Sequence, residues 1–124
     1  MSVRVLSDKD FDEAIREGIV LVDFWAPWCN PCKAFAAIFE AAAELHPDIH
    51  FCKVNTEEEP DLTEGNGISS IPTLMAFRDG ILVFEQAGIL PAHSIENLVR
   101  EAKDLDMEKI RAEVANRAKT QTMT

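Results

Sequence analysis

The seven residues Ile19 to Trp25 (Ile-Val-Leu-Val-Asp-Phe-Trp) constrain the chain most. They are β-branched, aliphatic and aromatic with no recurring polar position, the pattern of a strand buried on both faces, as in a sheet covered by helices. Ala26-Pro27-Trp28 then turns the chain. From about Pro31 to His46, Phe35, Ile38, Phe39, Ala42 and Leu45 recur at steps of three and four and mark an amphipathic helix, which Pro47 ends. The stretch thus predicts a buried strand running straight into a helix.

The rest of the chain extends this pattern. Ser7 and Asp10 resemble a capping box, with Phe11, Ala14 and Ile15 at helical spacing and Gly18 closing the segment. Ile49 to Asn55 reads as a second strand. Thr56 with Glu59 is expected to cap a short acidic helix that runs to Gly65, with Pro60 in its first turns. Thr73 to Phe77 and Ile81 to Gln86 flank Asp79-Gly80, a strong hairpin signal. Ile95, Leu98, Val99, Ala102 and Leu105 mark a further core-facing helix. The expected order is helix, strand, helix, strand, helix, hairpin, helix: an α/β chain whose central mixed β-sheet carries helices on both faces.

At 124 residues the chain is long enough for one core. Its 12 Lys and Arg against 22 Asp and Glu leave a net charge of −10, which opposes binding to nucleic acid and to anionic lipid. No signal peptide and no membrane span is legible. Three cysteines are too few for a secreted disulfide scaffold, so a cytoplasmic location is expected. There a paired Cys motif is catalytic or metal-binding more often than structural. Residues 106–124 stand apart. Met107, Ile110 and Val114 form a thin apolar stripe that fades into a polar end, and the charge changes from −11 over residues 1–99 to +1 over residues 100–124. This segment reads either as a C-terminal helix packed on the domain with a frayed end or as a docking helix for a partner.

Cys29-Asn30-Pro31-Cys32 lies at the junction of the buried strand and the long helix. Free N–H groups and the macrodipole at a helix start stabilise negative charge, so Cys29 is expected to be partly thiolate near neutral pH. Cys32, one turn in, can close a short disulfide ring, and Pro31 suits the first helical position. An exposed attacking sulfur with a resolving sulfur behind it is the arrangement for thiol–disulfide exchange. The spacing Cys29-x2-Cys32-x13-His46-x3-His50 also falls within that of a zinc site, but Pro47 keeps the two histidines off one helical face. No metal and no cofactor is expected, and both histidines read as surface residues.

Asp23 sits in the middle of the apolar strand. It is either an edge-facing carboxylate in contact with water or a buried one with a raised pKa that serves as proton acceptor for Cys32. Lys53 on the next strand is the obvious partner charge. Trp28 belongs to the rim of the site, Cys52 reads as a buried thiol without chemistry, and Ile71-Pro72 is trans by default.

Val22-Asp-Phe-Trp-Ala-Pro-Trp-Cys-Asn-Pro-Cys-Lys33, Lys53-Val-Asn55, Gly67-Ile-Ser-Ser-Ile-Pro-Thr-Leu74, Phe77-Arg-Asp-Gly80 and Gly88 together resemble the thioredoxin family. The resemblance spans about residues 2 to 105. It implies the thioredoxin fold over residues 1–105, with residues 106–124 as a helical extension on which it is silent. It also implies reduction of protein disulfides, with Cys29 as nucleophile, Cys32 as resolving cysteine, Asp23 as proton-transfer group and Lys53 as its neighbour. Pro72 becomes a cis-proline facing the disulfide. Trp28, Asn30, Pro31, Ile71, Pro72 and Gly88 become the substrate-binding surface, Ile71 through its backbone.

The implied partners are disulfide-bearing proteins and an electron donor of the thioredoxin-reductase type. Asn30 replaces the family's usual glycine, a change that bears on the reduction potential and hence on the direction of electron flow. Ala37 stands where a proline commonly kinks the long helix, so a straighter helix is expected. The competing class is a binding or chaperone-like module in which the Cys pair is secondary and the C-terminal helix docks a partner.

Overall fold

The computed structural model describes residues 3–122. In chain order it contains β1 (Val3–Val5), α1 (Phe11–Ala14), β2 (Ile19–Trp25), α2 (Asn30–Leu45), β3 (His50–Asn55), α3 (Pro60–Gly65), β4 (Thr73–Arg78), β5 (Ile81–Ala87), α4 (Ala92–Asp104) and α5 (Met107–Thr122). The strands form one sheet in the order β1-β3-β2-β4-β5. β1 and β2 both run parallel to β3, while β4 is antiparallel to β2 and β5. β2 is therefore the central strand, which is why its sequence has no polar face.

Alternation along β2 divides the core into two layers. Leu21 points to one face, where Phe35, Phe39, Phe51, Leu74, Ile95 and Val99 bury α2 and α4. Val20, Val22 and Phe24 point to the other, with Phe11, Val54, Leu62 and Phe77. That second layer is covered by the shorter α1 and α3.

Four local details differ from the sequence reading. β1 was not anticipated, because three residues of alternating Val-Arg-Val at a sheet edge carry too little signal. α2 begins one residue early, at Asn30, with Pro31 still in its first turn, where no N–H is required. Thr56 does not cap α3. Its hydroxyl donates to the Trp25 carbonyl at 3.0 Å, pinning the end of β2 instead, and the cap position falls to Glu59. At the first helix half of the expected capping box forms, the Asp10 carboxylate accepting the Ser7 N–H at 2.7 Å, but the Ser7 hydroxyl donates to that carboxylate at 3.2 Å instead of accepting an amide.

The hairpin turns as expected. Asp79 (φ 51°) and Gly80 (φ 84°) are both left-handed, the geometry that tight antiparallel turns require. Asp79 also accepts the Gly18 N–H at 3.0 Å and pairs with Arg111 of α5 at 3.2 Å. α5 buries Met107, half-buries Ile110 and leaves Val114 exposed. The end of the chain, where fraying was expected, lies partly outside the described residues.

Candidate active site

Three backbone features place the cysteines. Trp25 ends β2, and its carbonyl accepts the Thr56 N–H at 2.9 Å as well as the Thr56 hydroxyl. The turn then closes through the Cys29 N–H on Ala26 O at 3.2 Å, and α2 starts with the Lys33 N–H on Cys29 O at 3.2 Å. Cys29 is the N-cap residue, extended at φ −90°, ψ 109°, and its Sγ accepts the Cys32 N–H at 3.2 Å. Cys29 and Cys32 form a disulfide with their Cα atoms 5.2 Å apart.

Cys29 is only 4% exposed, which corrects the expectation of an exposed sulfur. In the disulfide it lies against Ala26, Cys32 and the partly buried Ile71, and its Sγ is 3.9 Å from the Ile71 carbonyl oxygen. The Ile71–Pro72 peptide is cis, as the resemblance implies and against the sequence default. Gly88, at φ 94°, donates its N–H to Pro72 O at 2.8 Å, which ties the start of β4 to the end of β5 beside the disulfide.

Trp28 is 66% exposed, and its indole N–H donates to the Glu57 carboxylate. Asn55 holds that acidic loop: its side chain accepts the Glu57 N–H at 2.9 Å and donates to Glu58 at 3.0 Å. Sequence reasoning missed Glu57, since nothing within an acidic run shows which carboxylate will meet an indole 29 positions away. Asn30 and Pro31 are exposed beside the disulfide.

Asp23 is 3% exposed on the central strand, so the edge-facing alternative fails. It lies directly opposite Lys53 in the β2–β3 register. Burial pushes the Asp23 carboxyl up to about 7, with the Lys53 ammonium opposing the rise. The Lys53 Nζ in turn stands over the Trp25 ring, 5.4 Å from its centroid. Asp23, Trp25, Cys32 and Lys53 line a common pocket of about 100 Å³, together with Lys33, Ala36, Phe39, Glu40 and Val3. A carboxyl that titrates near neutrality and shares a pocket with a thiol can exchange a proton with it.

Cys52 is buried on the opposite layer, its thiol pushed up to about 11 by desolvation. His46 corrects another expectation. It is largely covered, stacks on Phe51 at 6.5 Å and meets Glu96 of α4 at 2.7 Å, so it clamps the end of α2 rather than facing solvent. His50 is exposed on β3. Among the described residues no group of three or more His, Cys, Asp or Glu side chains is placed to hold a metal ion. Nor is any helix among them long and apolar enough to cross a membrane.

Comparison with known proteins gives a consistent picture. The family model described as Thioredoxin matches residues 2–101. A protein of Streptomyces coelicolor named as a thioredoxin is 46% identical over 111 residues, 89% of this chain and 83% of the relative. The thioredoxin of Bacillus subtilis is 34% identical over 102 residues, 82% of this chain and 98% of its own. Among solved structures, a mutant thioredoxin from Halobacterium salinarum superposes with a TM-score of 0.78 at 27% identity, covering 84% of this chain and 93% of that one.

Proposed function

The chain belongs to the thioredoxin family and is a thiol–disulfide oxidoreductase, and from that premise we propose how its residues divide the work. Cys29 is the nucleophile. With the disulfide reduced, the Cys32 N–H and the start of α2 stabilise negative charge on its sulfur. The thiolate attacks one sulfur of a substrate disulfide and expels the other as a thiolate, which takes up a proton. Cys32 then loses its proton to the Asp23 carboxylate and attacks Cys29 Sγ. The Cys29–Cys32 bond forms, the mixed disulfide breaks, and the second substrate sulfur departs as a thiolate. Two electrons pass from the dithiol to the substrate. Lys53 keeps the Asp23 carboxylate chargeable despite its burial.

Trp28, Asn30, Pro31, Ile71, Pro72 and Gly88 surround the sulfurs and form the docking surface for an extended substrate segment, which meets the Ile71 backbone. Thioredoxins act on disulfide-bearing proteins and are re-reduced by a reductase. A donor of the thioredoxin-reductase type, acting in the cytoplasm, is the assignment for this chain. Residues 1–105 are the redox domain and residues 106–124 an appendage whose helix α5 is available for a protein contact. The end of the family match at residue 101 supports that boundary.

One observation carries the reading: a disulfide at the cap of α2, with the Cys32 amide on the Cys29 sulfur and a buried carboxyl sharing the pocket of Cys32. The test is insulin reduction driven by dithiothreitol. Cys29→Ser is expected to fall by at least about 100-fold, to the uncatalysed rate. Equal rates for variant and wild type would overturn the assignment. The binding-module alternative is not favoured.

A further inference from the structure

Two buried polar atoms beside the Cys pair meet no hydrogen-bonding partner among the described residues: Asp23 Oδ1 and Trp25 Nε1. They belong to residues two apart on β2, whose side chains therefore leave the sheet on the same face. Both residues line the pocket of about 100 Å³ that also reaches Cys32. A water molecule occupies about 30 Å³ in the liquid and needs two or more polar partners to reside in a protein. The pocket has the room, and the residues that line it include one donor and one acceptor left unpaired among the described residues. Leaving either atom dry would forfeit the hydrogen bond that it makes to water in the unfolded chain.

We propose that the Trp25 indole is a positioning group for Asp23, its N–H donating to a water that in turn donates to Asp23 Oδ1, so that Trp25 helps set the pH at which Cys32 resolves a mixed disulfide. The inference rests on reading Asp23 as the proton acceptor. A donor delivered to the carboxylate through water favours the charged form, as Lys53 does from β3. The other groups facing Asp23 come from α2: the Cys32 sulfur, with Lys33 and Glu40 at the pocket wall. Its partner on β4 is the apolar Leu74. Trp25 has a second tie to the same charge system, since its ring carries the Lys53 ammonium. The indole thus acts through two separable routes, the N–H and the π face.

The experiment separates them. Trp25→Phe keeps a ring beneath Lys53 and removes the N–H. The midpoint of the pH profile for resolution of a preformed mixed disulfide between Cys29 and a thionitrobenzoate leaving group should move up by about half a unit to one unit. The same displacement should appear when Trp25→Phe is made in a Lys53→Met background, because the water route does not pass through Lys53. In the reduced wild type, the indole ¹H–¹⁵N resonance of Trp25 should titrate with the same midpoint as resolution, and that response should vanish in Asp23→Asn.

An unchanged midpoint in folded Trp25→Phe, a displacement lost in the Lys53→Met background, or an indole resonance that ignores pH would each overturn the proposal. The resonance also decides the matter should Trp25→Phe fail to fold. If Asp23→Asn itself leaves the resolution profile untouched, the reading of Asp23 as acceptor fails. If Asp23→Asn removes the pH dependence while Trp25→Phe does nothing, only the role of Trp25 fails.

Discussion

The turn after β2 and the middle of β3 each hold cysteine in a buried setting, yet they prepare sulfur for opposite fates. Cys29 and Cys52 are 4% and 2% exposed, so accessibility in this state does not separate them. Their electrostatic surroundings do. Cys29 sits where a helix begins, receives a backbone N–H and has Cys32 one turn away. Cys52 sits among Val22, Val54 and Phe11, where burial raises its thiol to about 11 and keeps it neutral. One step along β3 reverses the face, since Lys53 looks across at Asp23 while Cys52 looks across at Val22. Reactivity here follows from what a sulfur is offered once ionised, and only loosely from how deeply it is buried.

The largest expected effect tests that contrast directly. In the reduced protein at pH 7.5, iodoacetamide should alkylate Cys29 at least about 1000-fold faster than Cys52. The rise of the Cys52 thiol from 9.0 to about 11 accounts for roughly a hundredfold of this. Peptide mass spectrometry over time reads both sites at once, and comparable rates would erase the distinction.

A second, smaller effect concerns the two buried acids. The Asp23 carboxyl rises from 3.8 to about 7 on folding, so between those values the folded state holds a proton that the unfolded state has released. Its contribution to stability is complete below the unfolded value and is lost as pH climbs through about 7. Asp23→Asn should therefore be more stable than wild type by up to about 4 kcal/mol at pH 8.5, with the difference closing toward pH 4. Urea melts at both pH values check this; a gap that does not change with pH would mean that burial does not govern Asp23. Cys52→Ala should show no such pH dependence over the same range, because its thiol is neutral throughout.

The smallest effect should come from the far end of the chain. Truncation after Leu105 removes α5, which reaches the domain through Met107 and the Arg111–Asp79 pair but adds none of its described residues to the site. Labelling rates at Cys29 and Cys52, and insulin reduction, should stay within about twofold of the full chain. A loss of activity in a folded truncation would show that the helix supports the site.

Much of this was written in the sequence, for identifiable reasons. β2 and α2 were legible because an uninterrupted apolar run and a three-four periodicity are strong signals, and their junction placed Cys29 at the cap. The face of Asp23 was not legible, because an Asp within an apolar strand is compatible with an edge or a centre until strand order is known. β1 was too short to register. Thr56 misled because a Thr-x-x-Glu spacing looks like a cap, whereas the hydroxyl found the Trp25 carbonyl 31 residues away. His46 lost its surface reading to a contact with Glu96, 50 positions on, which no local pattern encodes. Within this molecule short-range chemistry could be read, and of the distant side-chain pairings only that of Asp23 with Lys53 was legible.

The placement of the aromatic residues has an optical consequence. The chain has two tryptophans and no tyrosine, and Trp25 and Trp28 lie just ahead of the sulfurs, one at the end of β2 and the other in the turn before α2. All of its indole emission therefore originates within a few residues of the redox centre, with one ring beside an ammonium and the other tethered to a carboxylate. The protein carries its own fluorophores at the point where its covalent state changes, and a cuvette can follow electron transfer there without any added dye.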